Sequence, residues 1–208
     1  MFDKGVRVAA TGQAKTPGRR ADAQRSIAAI LEAAVKALSR NPEASVSEIA
    51  KAAGVGRVTL YGHFPNRADL VQAALARAID EGHSALDAVD LSGDPRQALT
   101  RLIHSSWLLV NQSRSLLLAA QEVLPPGRIR ELHAGPVERV EGLVRRGQEE
   151  GIFRSDLSTP WLVGVMHSVM HNAADEINAG RLDMEEAPAF ITATVLAAFT
   201  PPGSRVPA

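Results

Sequence analysis

The chain predicts an all-α fold in two parts, an N-terminal three-helix unit followed by a larger helical domain. Three observations point there. Apolar residues recur at helical spacing along most of the 208 residues, with no alternating strand pattern. Gly or Pro closes several of those runs, at Pro42, Gly54, Pro65, Gly151 and Gly180. The net charge of zero is also unevenly divided: residues 1–68 hold 11 Lys+Arg against 5 Asp+Glu, a net +6, and residues 69–208 hold 12 against 18, a net −6. A basic first third on an acidic remainder suggests a polyanionic partner for the first part alone.

Residues 1–20, with Arg19 and Arg20, are expected to be a flexible basic arm. From Asp22 the pattern turns helical, with Ile27, Ile30, Leu31, Ala34, Val35 and Leu38 forming one apolar stripe and Arg25 beside it. Asn41-Pro42 stops this helix, because Pro pushes its predecessor out of the α region. Ser45 and Glu48 have capping-box spacing and open a short helix that Gly54 ends. A second short helix is expected from Arg57 to Phe64, broken by Pro65, and Asn66 caps a long third one through Leu70, Val71, Ala74, Leu75, Ala78 and Ile79. We place this first domain at residues 21–68 and a connecting helix at 69–90.

Residues 91–200 form the second domain and 201–208 a tail. Asp94-Pro95 reads as an N-cap followed by Pro at the first helical position, opening a helix to about Asn111. Arg114–Leu124 is a separate helix ended by Pro125-Pro126, residues 128–134 a short turn of helix, and Pro136–Glu150 another helix. Thr159-Pro160 opens a helix to Ala179, and the last spans Glu185–Phe199.

Composition excludes some chemistry. The absence of cysteine removes disulfides, thiolate metal sites and thiol nucleophiles. No apolar run reaches the roughly 18 residues of a membrane span, and the N-terminus lacks the apolar segment of a secretory signal, so a cytoplasmic location is expected.

The two short helices and their Gly-containing turn form a helix-turn-helix. In such a unit the second helix enters the DNA major groove with its N-terminal residues at the base edges. Arg57 can offer a bidentate fork to guanine, and Thr59 a hydroxyl or methyl. Tyr61 and His63 follow with polar tips suited to phosphate oxygens, and Arg67 starts the next helix beside free backbone N–H groups. Ser45 and Val58 complete the expected DNA-facing set.

The stretch VSEIAKAAGVGRVTLYGHFPNRADLVQAAL resembles the DNA-binding signature of the tetracycline-repressor (TetR) family of regulators over about residues 22–75. The resemblance implies that Thr59, Tyr61, His63 and Arg67 take DNA-contact positions, and that Phe64 is a buried anchor for the reading helix. Gly56 and Gly62 depart from the family pattern. Gly62 weakens a helix by about 1 kcal/mol relative to Ala, from which we expect the reading helix to order fully only on DNA.

The resemblance also implies a homodimeric repressor, a palindromic double-stranded operator, and an unidentified small-molecule effector bound by the C-terminal domain, with no cofactor. The dimer is expected to form through the last two long helices, with Val165, Val169, Ala173, Ile191, Thr194 and Ala198 at the interface. Candidate pocket residues are His104, Trp107, Gln121, Glu122, Met166, His167 and Met170, together with Trp161, since Met and Trp suit apolar ligands. His167 and His171 share a helix face at i, i+4. With His104 or Glu122 they could hold a metal, so a rival reading is an all-helical metal- or small-molecule-binding enzyme using His104, His167, His171 and Glu122. No metal is assigned on the first reading.

Overall fold

The computed structural model describes residues 17–204, and every described element is helical. The order is α1 (Pro17–Arg40), α2 (Val46–Ala52), α3 (Arg57–His63), α4 (Arg67–Asp87), α5 (Pro95–Val123), α6 (Pro126–Leu132), α7 (Ala134–Glu149), α8 (Thr159–Asn178) and α9 (Ala187–Phe199). Of the expected arm, residues 1–16 lie outside the described residues, and Pro17–Arg20 belong to α1, which begins five residues before the expected Asp22. Pro suits a helix start, where its missing N–H costs nothing.

Two hydrophobic cores organise these helices. The first gathers Ile30, Ala34 and Leu38 of α1, Ile49 and Ala50 of α2, Leu60 of α3, Phe64, and Leu70, Val71, Ala74 and Leu75 of α4. The second gathers residues of α5, α7, α8 and α9, among them Leu99, Ile103, Val144, Leu162, Met166, Ile191 and Phe199. At its edge Phe153 meets Phe199 edge-to-face, with ring centroids 5.5 Å apart.

The expected break between Asn111 and Arg114 does not occur: α5 is one helix of 29 residues, about 44 Å long. Asn and Ser cost a helix only about 0.5 kcal/mol each, and no Gly or Pro interrupts the run. Burial at both ends overrides that cost. Leu99, Leu102 and Ile103 sit in the second core, while Leu116, Ala119, Ala120 and Leu124 sit in the first. Helix α4 is shared too. Leu70 to Leu75 pack in the first core, and Ile79, Gly82, His83 and Leu86 face a cavity in the second domain. The division at residue 68 therefore falls within a continuous helix.

Candidate functional site

The reading unit is built by local signals. Ser45 caps α2: its hydroxyl accepts from the Glu48 N–H at 3.2 Å, and the Ser45 N–H donates to the Glu48 carboxylate at 2.7 Å. The Ser45 hydrogen bonds hold the Glu48 carboxyl below its usual range. At the other end Gly54 adopts φ +68°, with its N–H donating to Lys51 O at 3.2 Å and that of Val55 to Ala50 O at 3.0 Å. This is the Schellman closure, which places the turn glycine in the left-handed region.

Helix α3 spans two turns. Leu60 is fully buried and Phe64 is 9% exposed, so both hold the helix against the core. Arg57, Val58, Thr59 and Tyr61 project outward and His63 is half-buried. Val58 is 87% exposed and Tyr61 44%, large for apolar and aromatic groups with a core beside them. Helix α3 is formed in the chain alone, so the glycine at position 62 does not prevent it.

Arg67 departs from its expected role. Its guanidinium is partly buried and turned inward, donating from Nη1 to Ala44 O at 2.5 Å and from Nη2 to Pro42 O at 2.7 Å. It clasps the first turn of α4 to the α1–α2 loop, just ahead of Ser45.

In the second domain a cavity of about 1200 Å³ opens between α4, α5, α6, α7 and α8. Leu75, Ile79, Leu102, Leu117, Val137 and Met170 supply apolar walls. Of the residues expected at a pocket, Gln121, Met166, His167 and Met170 line the cavity. His104, Trp107 and Glu122 are not among its lining residues. His104 and Glu122 are exposed on α5, while Trp107 is buried in the second core. Trp161 is 63% exposed and is neither core nor lining. These are errors of helical phase: a position on α5 faces the cavity, the core or solvent according to rotations of 100° per residue.

His167 and His171 both reach the cavity, but His104 and Glu122 do not join them, so the set required by the enzyme reading is not assembled. Among the described residues no three His, Asp or Glu side chains gather as a metal-binding group. Burial pushes the His167 imidazole down to about 4, with His171 and His133 adding to the effect. Burial, and then Arg114, also lower His171.

An ion pair across the cavity wall was not legible in the sequence. Arg114 donates from Nε and Nη2 to the two carboxylate oxygens of Asp175, both at 2.8 Å, and this pairing keeps the Asp175 carboxyl below its usual range. The partners are 61 positions apart, beyond any local pattern. His133 and His83, also in the lining, were missed for the same reason.

Helices α8 and α9 leave an apolar face in the open. Phe190 is 56% exposed, with Ala193, Thr194 and Ala197 exposed beside it, and Gly164 and Trp161 are exposed on α8. Of the expected interface residues, Thr194 is exposed and Val165, Val169 and Ala198 are half-buried. Ala173 and Ile191 instead lie inside the protomer's own core, because their helix faces point at α5 rather than outward. No helix among the described residues is long and apolar enough to cross a membrane.

Comparison with known proteins places this geometry. Residues 30–74 match the model of bacterial regulatory proteins, tetR family. The HTH-type transcriptional repressor LfrR of Mycolicibacterium smegmatis is 36% identical over 85 residues, 41% of this chain and 45% of LfrR, so the aligned segment spans less than half of that relative. The HTH-type transcriptional regulator NfxB of Pseudomonas aeruginosa is 26% identical over 156 residues, 73% of this chain and 82% of NfxB. Among solved structures, the TetR-like regulator LfrR from Mycobacterium smegmatis in complex with proflavine superposes with a TM-score of 0.66 at 24% identity, covering 83% of this chain and 94% of that one. At that identity the likeness speaks for the fold.

Proposed function

We propose that the chain, whose residues 30–74 match the model of bacterial regulatory proteins, tetR family, is a homodimeric, sequence-specific DNA-binding repressor released from a palindromic operator by a small-molecule effector. The observation that carries this reading is α3 itself. A two-turn helix, anchored by Leu60 and Phe64, presents Arg57, Val58, Thr59 and Tyr61 to solvent at the basic end of the chain. Arg57 and Thr59 read base edges, Val58 offers its methyls to a thymine methyl, and Tyr61, His63 and the α2 start at Ser45 meet phosphates. Arg67 supports this surface from behind.

The second copy docks through the open face of α8 and α9. Helix α9 is apolar all round, a pattern stable only when every side is covered, and the protomer covers only the side of Ile191, Val195 and Phe199. Two-fold pairing would set the two reading helices about 34–36 Å apart on successive major grooves.

The effector occupies the cavity below α4. Helix α4 carries both cavity-lining and reading-unit residues, so a ligand that shifts it changes the spacing of the reading helices. Ligand and operator then oppose each other through one coupling free energy. The solved structure of LfrR is a complex with the small molecule proflavine, which is compatible with a small-molecule ligand here.

Selection of bound sites from a random duplex pool tests the whole reading. A recovered palindrome with half-sites one helical turn apart supports it. Enrichment without a consensus leaves only a sequence-blind basic module and overturns it. Phe190→Glu should then give a monomer by sedimentation with weakened operator binding.

A further inference from the structure

The outermost line of α3 carries no side chain. Leu60 and Phe64 fasten this helix to the core. At about 100° per residue, position 62 lies about 160° from each of them, on the side turned furthest from the protein. Gly62 is exposed, its φ is outside the left-handed region, and no described residue stands within 4 Å of where its Cβ would be. Neither a turn nor a close helix contact among the described residues calls for glycine there. It nevertheless weakens a helix of only seven residues relative to Ala.

The consequence of the missing side chain lies one turn back. The Cα–Cβ bonds of a helix tilt toward its N-terminus, so a side chain at i+4 lies over the residue at i. The residue that position 62 would cover is Val58, which is 87% exposed. Thr59 is exposed on the neighbouring flank. Two bare methyl groups thus stand near the centre of the outward face, with a hydroxyl beside them. Val has no hydrogen bond to offer. The apolar group that a base edge presents in the major groove is the thymine 5-methyl.

We propose that Gly62 is a specificity-determining residue: its bare backbone leaves Val58 open to a thymine 5-methyl group. This rests on the reading of α3 as the DNA-reading helix, and it adds the residue that permits one base position to be read. Val58 makes the contact. Gly62 acts through Val58, as a positioning residue.

The duplex recovered by selection is the probe. Each thymine of one half-site is replaced in turn by uracil, which removes the 5-methyl and keeps every hydrogen-bonding group. Fluorescence anisotropy of the full chain at fixed salt gives Kd. One of these replacements should weaken the parent about three- to fivefold, as expected for one methyl left in water. Gly62→Gln covers Val58 with a polar side chain. It should weaken the operator about tenfold, through loss of the contact in both half-sites, and bind the thymine and uracil duplexes alike. Val58→Ala should abolish the same difference, and Gly62→Ala should reduce it. Both Gly62 variants should melt no lower than the parent, because Ala and Gln are better helix formers than Gly. Gly142→Ala is the control. Gly142 is exposed on α7 with no described residue within 4 Å of a Cβ, so this variant gains the same helix propensity and should bind as the parent does.

A parent indifferent to uracil at every thymine overturns the proposal and leaves α3 as the reader. So does a folded Gly62→Gln protein that keeps the thymine preference, whether its affinity falls or not. Selection that recovers no consensus overturns the DNA-reading proposal and this one together.

Discussion

Arg67→Ala separates a clasp from a DNA contact. The substitution removes two charge-assisted hydrogen bonds, 2.5 Å to Ala44 O and 2.7 Å to Pro42 O. Bonds of this type contribute about 1.5–3 kcal/mol each. The guanidinium is only partly buried and the freed carbonyls recover some water, so the sum is discounted by about a third, to about 2–4 kcal/mol. For a chain of this size each kcal/mol moves the midpoint by about 2–4 °C, giving a fall in Tm of about 4–16 °C. The assay is circular dichroism melting at fixed protein concentration, since dimerisation makes Tm concentration-dependent. Arg57→Ala is the control: Arg57 is exposed, and its loss should leave stability within about 0.5 kcal/mol. An unchanged Tm for Arg67→Ala, combined with a salt dependence of DNA binding reduced by about one phosphate contact, would refute the clasp and return Arg67 to the DNA.

Three further outcomes follow from the same geometry. Gly62 has nothing within 4 Å of where a Cβ would stand, so Gly62→Ala should stabilise the chain by about 0.5–1 kcal/mol in urea unfolding; a loss would mean that the position is strained. At Gly147 a Cβ would fall 2.1 Å from Phe153 Cδ2. Gly147→Ala should therefore cost about 1–3 kcal/mol or more by overpacking, and a neutral result would show that the Phe153 ring is free to move. His167 titrates near 4 in the folded chain against 6.5 when unfolded. Between those values the unfolded chain binds more protons, so stability rises with pH through the window and is lost as pH falls from 6.5 toward 4. The cavity is open to water, so the effect should be about 2–3 kcal/mol rather than the full linkage value. His167→Phe should flatten that part of the pH–stability curve, and an unchanged curve would place the acid sensitivity elsewhere.

Much of the reading unit was legible because its signals are local. The Ser45–Glu48 capping box, the Gly54 turn, the Asn66 cap and the Asp94-Pro95 start all concern groups within a few residues of one another, and each appears where its spacing placed it. The errors lie where distant packing decides. Asn111 to Ser113 read as a break because local propensity is weak there, yet two separate cores grip the ends of α5 and hold it straight through. Trp107 and Glu122 suited a pocket by type, but one faces the core and the other solvent, a matter of helix rotation that composition does not record. Ala173 and Ile191 were expected between protomers and lie within one, for the same reason.

By itself the sequence determined the helical class, the helix-turn-helix and which side chains α3 turns outward. Caps, turns and apolar period are properties of neighbouring residues, and their energies do not depend on what lies across the fold. Only the tertiary structure decided that Arg67 turns inward, that Arg114 and Asp175 pair across 61 positions, and that burial lowers His167. Those outcomes depend on which groups share a low-dielectric space, and that is set by how the helices pack.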